Sequence, residues 1–124
     1  MVLDTSALLA VFFEEKYGDW VIQEMNAHAH ALRMSTVNLT ETLIRLLDKQ
    51  PQLFKELEAQ LLSHGIRFVA PSVEQAHLAA EARVRFPLNL GDCFAYALAV
   101  TEDVPILTLD RDFRVLDHPV VLPI

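Results

Sequence analysis

The chain has 124 residues, of which 52% are hydrophobic, with three glycines and six prolines. This is enough apolar material for one ordinary domain with a real core and too much for a disordered chain, while no apolar run approaches the roughly 18 residues of a membrane helix. The net charge of −7 at pH 7 argues against a basic face that grips nucleic acid non-specifically, although a metal ion held in a local acid cluster still presents positive charge to a phosphate.

Val2 and Leu3 read as a short apolar strand ending at Asp4, and Thr5 and Ser6 as the cap of a helix through Phe13. A second helix is expected from about Tyr17 to Met25, a strand from Ala31 to Ser35, and a strong helix from Val37 to about Lys49. Pro51 suits the first position of the next helix, which buries Leu53, Phe54, Leu57 and Leu61 and stops at Gly65. Arg67 to Val69 is a short strand. Ser72 and Gln75 have capping-box spacing and open a helix to about Arg85. Gly91 and Asp92 precede an apolar helix from Cys93 to about Thr101. Cys93 is the only cysteine, so it forms no internal disulfide; a buried thiol in a reduced compartment, the cytoplasm, is expected, and no secretory signal pattern opposes this. Pro105 to Leu109 forms a strand ending at Asp110, and Val120 to Leu122 a last one. Short apolar strands alternating with helices predict an α/β fold, a short central parallel sheet with helices on both faces, in a single domain over residues 1–124.

Ligands of open α/β sheets bind at the carboxyl ends of the strands. Asp4 ends the first strand and Asp110 a later one, with Asp112 just beyond. Asp92 stands at the N-terminus of an apolar helix, where the helix dipole favours an acid. On a helical wheel, Val37, Leu39, Leu43, Ile44, Leu46 and Leu47 form one apolar arc, and Glu41 lies at its margin beside Val37. Taken singly these acids are ordinary: Asp4 and Asp92 as caps, Asp110 and Asp112 as an Asx turn, Glu41 as a solvated charge. Taken together they converge from separate segments, and like charges a few ångströms apart repel unless a cation joins them. An all-oxygen donor set selects Mg²⁺ or Mn²⁺ over zinc. His28 and His30 alternate in what reads as a loop entering a strand; His64, His77 and His118 have no partner at ligand spacing. There is no nucleophile elbow around Ser6, Ser35 or Ser72, and no glycine-rich phosphate loop.

The segment Val2-Leu3-Asp4-Thr5-Ser6-Ala7-Leu8 resembles the start of PIN domains, and Asn38-Leu39-Thr40-Glu41 resembles their second acid segment. The segment from Leu88 through Gly91, Asp92 and Cys93 to Ala99 is very similar to the third segment of VapC-type toxins, and Leu107 to Phe113 resembles the fourth. These matches fall in family order along nearly the whole chain. The resemblance implies a PIN fold and Mg²⁺- or Mn²⁺-dependent cleavage of RNA, with Asp4 and Asp92 as main metal ligands, Glu41 assisting, and Asp110 or Asp112 as the fourth acid. It also implies a homodimer and a small antitoxin partner that plugs the acidic groove with a basic tail. The loop before Leu88 is short where many relatives carry a basic, glycine-rich insertion, which leaves Arg83, Arg85, Arg111 and Arg114 as the bases for the RNA backbone. Two other readings stand beside this one. A catalytically silent binding module on the same fold would bind nucleic acid or protein without cutting. A receiver-like signalling domain requires a lysine at a late strand end, and here the last lysine is Lys55.

Overall fold

Strands of two or three residues carry few ladder bonds, so this sheet depends on what covers it. The structure, a computed structural model, describes all 124 residues. In chain order the elements are β1 (Val2–Leu3), α1 (Thr5–Phe12), α2 (Gly18–Ala27), β2 (Arg33–Ser35), α3 (Thr36–Lys49), α4 (Phe54–Ser63), β3 (Arg67–Val69), α5 (Val73–Arg85), α6 (Leu90–Glu102), β4 (Ile106–Leu107) and β5 (Val120–Val121), with short 3-10 turns at Pro51–Leu53 and Arg111–Val115. The sheet order is β3-β2-β1-β4-β5, and every pairing is parallel.

Side chains alternate across a strand, and here the alternation divides the core in two. Val2 and Ile106 join Ala79, Ala82, Cys93, Leu98 and Phe113 on the face covered by α5 and α6. Leu3 and Leu107, their neighbours along the strands, join Leu8, Val21, Met25, Met34 and Leu61 on the face covered by α1, α2 and α4. The residues of the two central strands are therefore all buried, and β1 and β4 read as continuous apolar runs, as in parallel sheets covered on both faces.

The chain leaves β1 and crosses to β2 on one side, and β4 lies on the other. The reversal of direction makes the carboxyl ends of β1 and β4 the topological switch point, where such folds open a crevice. The β1–β4 register pairs Val2 with Ile106 and Leu3 with Leu107, and Asp4 donates its N–H to the Leu107 carbonyl at 3.1 Å. Residues just past these ends, Asp4 and Thr108 to Asp110, consequently emerge side by side.

Several local expectations change in the folded chain. The N-cap of α1 is Asp4, whose side chain makes no cap bond; Thr5 and Ser6, expected as caps, spend their hydroxyls on acids instead. Ser35 caps α3 by accepting from the Val37 N–H. Ser72 accepts from the Gln75 N–H, but the Gln75 side chain turns to Thr101 and leaves the box half made. The complete capping box is at α6: Asn89 accepts from the Asp92 N–H at 2.9 Å, and Asp92 Oδ2 accepts from the Asn89 N–H at 3.3 Å. The helix thus starts at Leu90, ahead of the expected Cys93.

Candidate active site

The capping box does more than start a helix. It holds Asp92 in the first turn of α6, 8% exposed, on the side of the switch point. Burial comes first in pushing its carboxyl up from 3.8 to about 7, and the negative charges of Asp4, Asp110 and Glu41 push it the same way. Four segments thus deliver acids to one place: the end of β1, the second turn of α3, the start of α6 and the end of β4.

Asp4 is 2% exposed. Burial raises its pKa, against the opposing effect of hydrogen bonds from Ser6 and Thr108. Both hydroxyls donate to Oδ2, from Ser6 at 2.7 Å and from Thr108 at 2.8 Å. Thr108 Oγ1 in turn accepts from the Asp110 N–H at 3.0 Å, and Ser6 Oγ from the Leu109 N–H at 3.1 Å. The two strand ends are therefore tied together through the carboxylate. Glu41 Oε1 accepts from Thr5 Oγ1 at 2.8 Å and from Asn38 Nδ2 at 3.0 Å. Asp110 caps the 3-10 turn after β4, its Oδ1 accepting from the Asp112 N–H at 2.9 Å.

A common pattern runs through these acids. In each, one carboxylate oxygen takes the chain's hydrogen bonds and the other takes none of them: Oδ2 is engaged in Asp4 and Asp92, Oε1 in Glu41, Oδ1 in Asp110. One oxygen fixes the orientation, and the second keeps its lone pairs for another partner. No three acid, histidine or cysteine side chains close up into a cage for an ion. Mg²⁺ does not need one, because it retains several waters and binds through one or two carboxylates. The donor chemistry, all oxygen and all anionic, therefore fits a hard divalent cation.

Asp112 is exposed, and it supplies its N–H to Asp110. His28 bonds the carbonyl of Glu24 on its own helix at 2.9 Å. Among the bases, Arg85 pairs with Asp117 at 3.4 Å and lies over the Phe86 ring, and Arg114 bonds the Ile124 carbonyl. Arg83 and Arg111 form no ion pair within the chain. A cavity of about 590 Å³ between α1 and α4, lined by residues such as Phe12, Leu53, Leu57 and His64, contains none of Asp4, Glu41, Asp92 and Asp110; Glu41 and Asp110 are partly exposed instead, an open arrangement suited to a polymer.

The residues that hold the acids escaped the sequence reading. Thr108 carries a signal in retrospect, since it lies two positions before Asp110 at a strand end. Asn38 carries another, three positions before Glu41 on one helix face.

A family model described as PIN domain matches residues 1–119. The chain is 33% identical over 125 residues to a protein of Mycolicibacterium smegmatis named Ribonuclease VapC, covering 94% of this chain and 96% of that protein. It is 32% identical over 127 residues to Ribonuclease VapC42 of Mycobacterium tuberculosis, covering 94% and 95%. Among solved structures, a Mycobacterium tuberculosis VapC20 described as a sarcin-ricin loop cleaving toxin superposes with a TM-score of 0.82 at 19% identity, over 98% of both chains. A chain of the Rickettsia felis VapBC2 complex bound to a promoter DNA fragment superposes with a TM-score of 0.81 at 15% identity, over 98% of this chain and 96% of that one. At those identities the superpositions speak for the fold alone.

Proposed function

The chain belongs to the PIN-domain family, and from that premise we propose that it is a metal-dependent endoribonuclease that hydrolyses RNA phosphodiester bonds as the toxin of a toxin–antitoxin pair. The observation that carries the catalytic part is the meeting of Asp4, Glu41, Asp92 and Asp110, close enough that the charges of three of them help hold the carboxyl of Asp92 at about 7. A fold tolerates such repulsion where a cation relieves it.

In this reading Asp4, Asp92 and Asp110 hold Mg²⁺ or Mn²⁺ through their unengaged oxygens. The ion, when bound, supplies a water activated for attack and positive charge against the phosphate. Ser6 and Thr108 keep Asp4 from rotating, and the capping box does the same for Asp92. Glu41, held by Thr5 and Asn38, binds the ion through a water and orients that water for attack. Arg83 and Arg111, free of internal partners, are the bases for the RNA backbone.

The partners follow from the same premise. Structures similar in fold include complexes of toxin with antitoxin, and for this chain we take a small antitoxin with a basic tail as the partner of the acid site. A homodimer is expected from the apolar surface left over within one chain. The apolar α6 does not supply it, because Cys93 and Ala95 through Ala99 are all buried within the chain. Ile44 and Leu47 of α3 remain, 57% and 50% exposed, with Val73 and Val84 of α5, both 89% exposed. No helix is long and apolar enough to cross a membrane, and the lone buried Cys93 suits the reducing cytoplasm.

The deciding experiment is cleavage of a panel of structured RNAs by the purified protein, in EDTA and after adding back Mg²⁺ or Mn²⁺. Cleavage that appears only with the ion supports the enzyme; RNA bound but uncut under every condition makes the chain a silent binding module.

A further inference from the structure

Asn38 is polar, fully buried, and one helical turn before Glu41 on α3. Its Nδ2 donates to Glu41 Oε1 at 3.0 Å and to the Gly91 carbonyl at 3.0 Å, and lies 3.4 Å from Thr5 Oγ1. Chemistry fixes the orientation of this amide. Turned over, it would set its own oxygen against a carboxylate oxygen and a carbonyl oxygen, which accept and cannot donate. In the orientation it has, Oδ1 is buried with no partner. An orphaned acceptor destabilises a fold, and what offsets it here is the placement of Nδ2.

Gly91 encloses the same carboxylate from the other side. A Cβ built at Gly91 would overlap the Glu41 carboxylate. Yet Gly91 does not have a positive φ, and it occupies the first turn of α6, where alanine is intrinsically the better helix former. The space over Gly91 is therefore occupied by Glu41, and the residue after Gly91 is Asp92. Asn38 and Gly91 together set how far the Glu41 carboxylate stands from the start of α6.

We propose that Asn38 and Gly91 are positioning residues: the Asn38 amide and the bare Gly91 backbone seat the Glu41 carboxylate beside Asp92. The proposal rests on the metal-dependent nuclease reading for its kinetic consequence, but not for its geometry. Neither residue touches the RNA or the ion; both act through Glu41.

The test compares the unmodified protein with Asn38→Ala, Gly91→Ala, Glu41→Gln and the double variant Asn38→Ala/Glu41→Gln. Two quantities are read: kcat and KM for RNA with Mg²⁺, and Mn²⁺ affinity from the electron paramagnetic resonance signal of the free ion. Residues that orient a ligand typically cost about 10–100-fold in metal affinity or activity when removed. Asn38→Ala and Gly91→Ala should each lower kcat by about tenfold or more with KM little changed, and should weaken Mn²⁺ binding as Glu41→Gln does. Residues acting as one unit are not additive, so the double variant should fall within about twofold of Glu41→Gln alone. Gly91→Ala removes no hydrogen-bonding group and asks only that a side-chain end swing away, so it keeps the proposal testable should Asn38→Ala fail to fold. Fully multiplicative losses in the double variant, or Gly91→Ala equal to the unmodified protein in kcat and Mn²⁺ affinity, would overturn the positioning role. If instead the unmodified protein cuts no RNA, while Mn²⁺ affinity depends on Asn38 and Gly91 as described, the nuclease reading fails and the positioning role stands.

Discussion

Replacing Asp92 by asparagine should make the ion-free protein more stable, although it removes a residue of the site. In the folded chain the Asp92 carboxyl titrates near 7, against an ordinary 3.8, because of burial and then the charges of Asp4, Asp110 and Glu41. At about 1.4 kcal/mol per pKa unit, the difference corresponds to about 4 kcal/mol without screening. Glu41 and Asp110 are partly exposed, and solvent on that side of the cluster screens the charges, so we take roughly half of it, about 2 kcal/mol. The sign follows from where the proton goes. The folded state keeps a proton that the unfolded chain releases, so the stability associated with Asp92 is fully present below about pH 4 and is lost as pH rises through about 7. Asparagine removes that loss while its side-chain oxygen can still accept the Asn89 N–H in the capping box. In EDTA at pH 8, Asp92→Asn should therefore raise the Tm by about 8 °C, taking about 4 °C per kcal/mol for a domain of this size. The gain should shrink steadily toward pH 4. Scanning calorimetry on both proteins across that range reads it directly. A difference independent of pH, or a lower Tm for Asp92→Asn at pH 8, would refute the repulsion argument.

Three further outcomes follow from the same geometry. Asp110→Asn should abolish or greatly reduce RNA cleavage, and Asp112→Asn should leave it within about twofold, a barrier change of only about 0.4 kcal/mol, since Asp112 is exposed and contributes its N–H alone. Thr108→Val should lower stability by about 1–3 kcal/mol in urea unfolding, because it withdraws a donor from a buried carboxylate and an acceptor from the Asp110 N–H. Light scattering at micromolar concentration should return a mass near twice the 14.0 kDa of one chain; a monomer would leave Ile44, Leu47, Val73 and Val84 unexplained as an interface.

The sheet and most helices were legible because their signals are local. Val2, Leu3, Ile106 and Leu107 read as strands by apolarity alone, and the rule that ligands gather at strand ends led to Asp4 and Asp110. The same rule could not separate Asp110 from Asp112, because the direction of each depends on a 3-10 turn whose first bond is the Asp110 carboxylate to the Asp112 N–H. The roles of Thr5 and Ser6 were illegible for another reason. Hydroxyls after a strand are good cap formers locally, and only tertiary contact reveals their other use, over 36 residues for Thr5 with Glu41 and over 103 for Ser6 with the Leu109 N–H. Helix α6 shows the limit of periodicity: an all-apolar circumference announces burial but not whether the covering surface comes from this chain or another, and α5 with the sheet supplies it here.

In the proposed site the second oxygens of Asp4 and Asp92 share one divalent cation. That sharing is tested most directly by anomalous diffraction from crystals grown with Mn²⁺. One strong peak is expected within about 2.0–2.2 Å of an oxygen of both carboxylates, at the bond length of a hard cation, and it should be lost in Asp4→Asn. A protein that cleaves RNA with Mn²⁺ while the ion lies away from both aspartates would contradict that sharing.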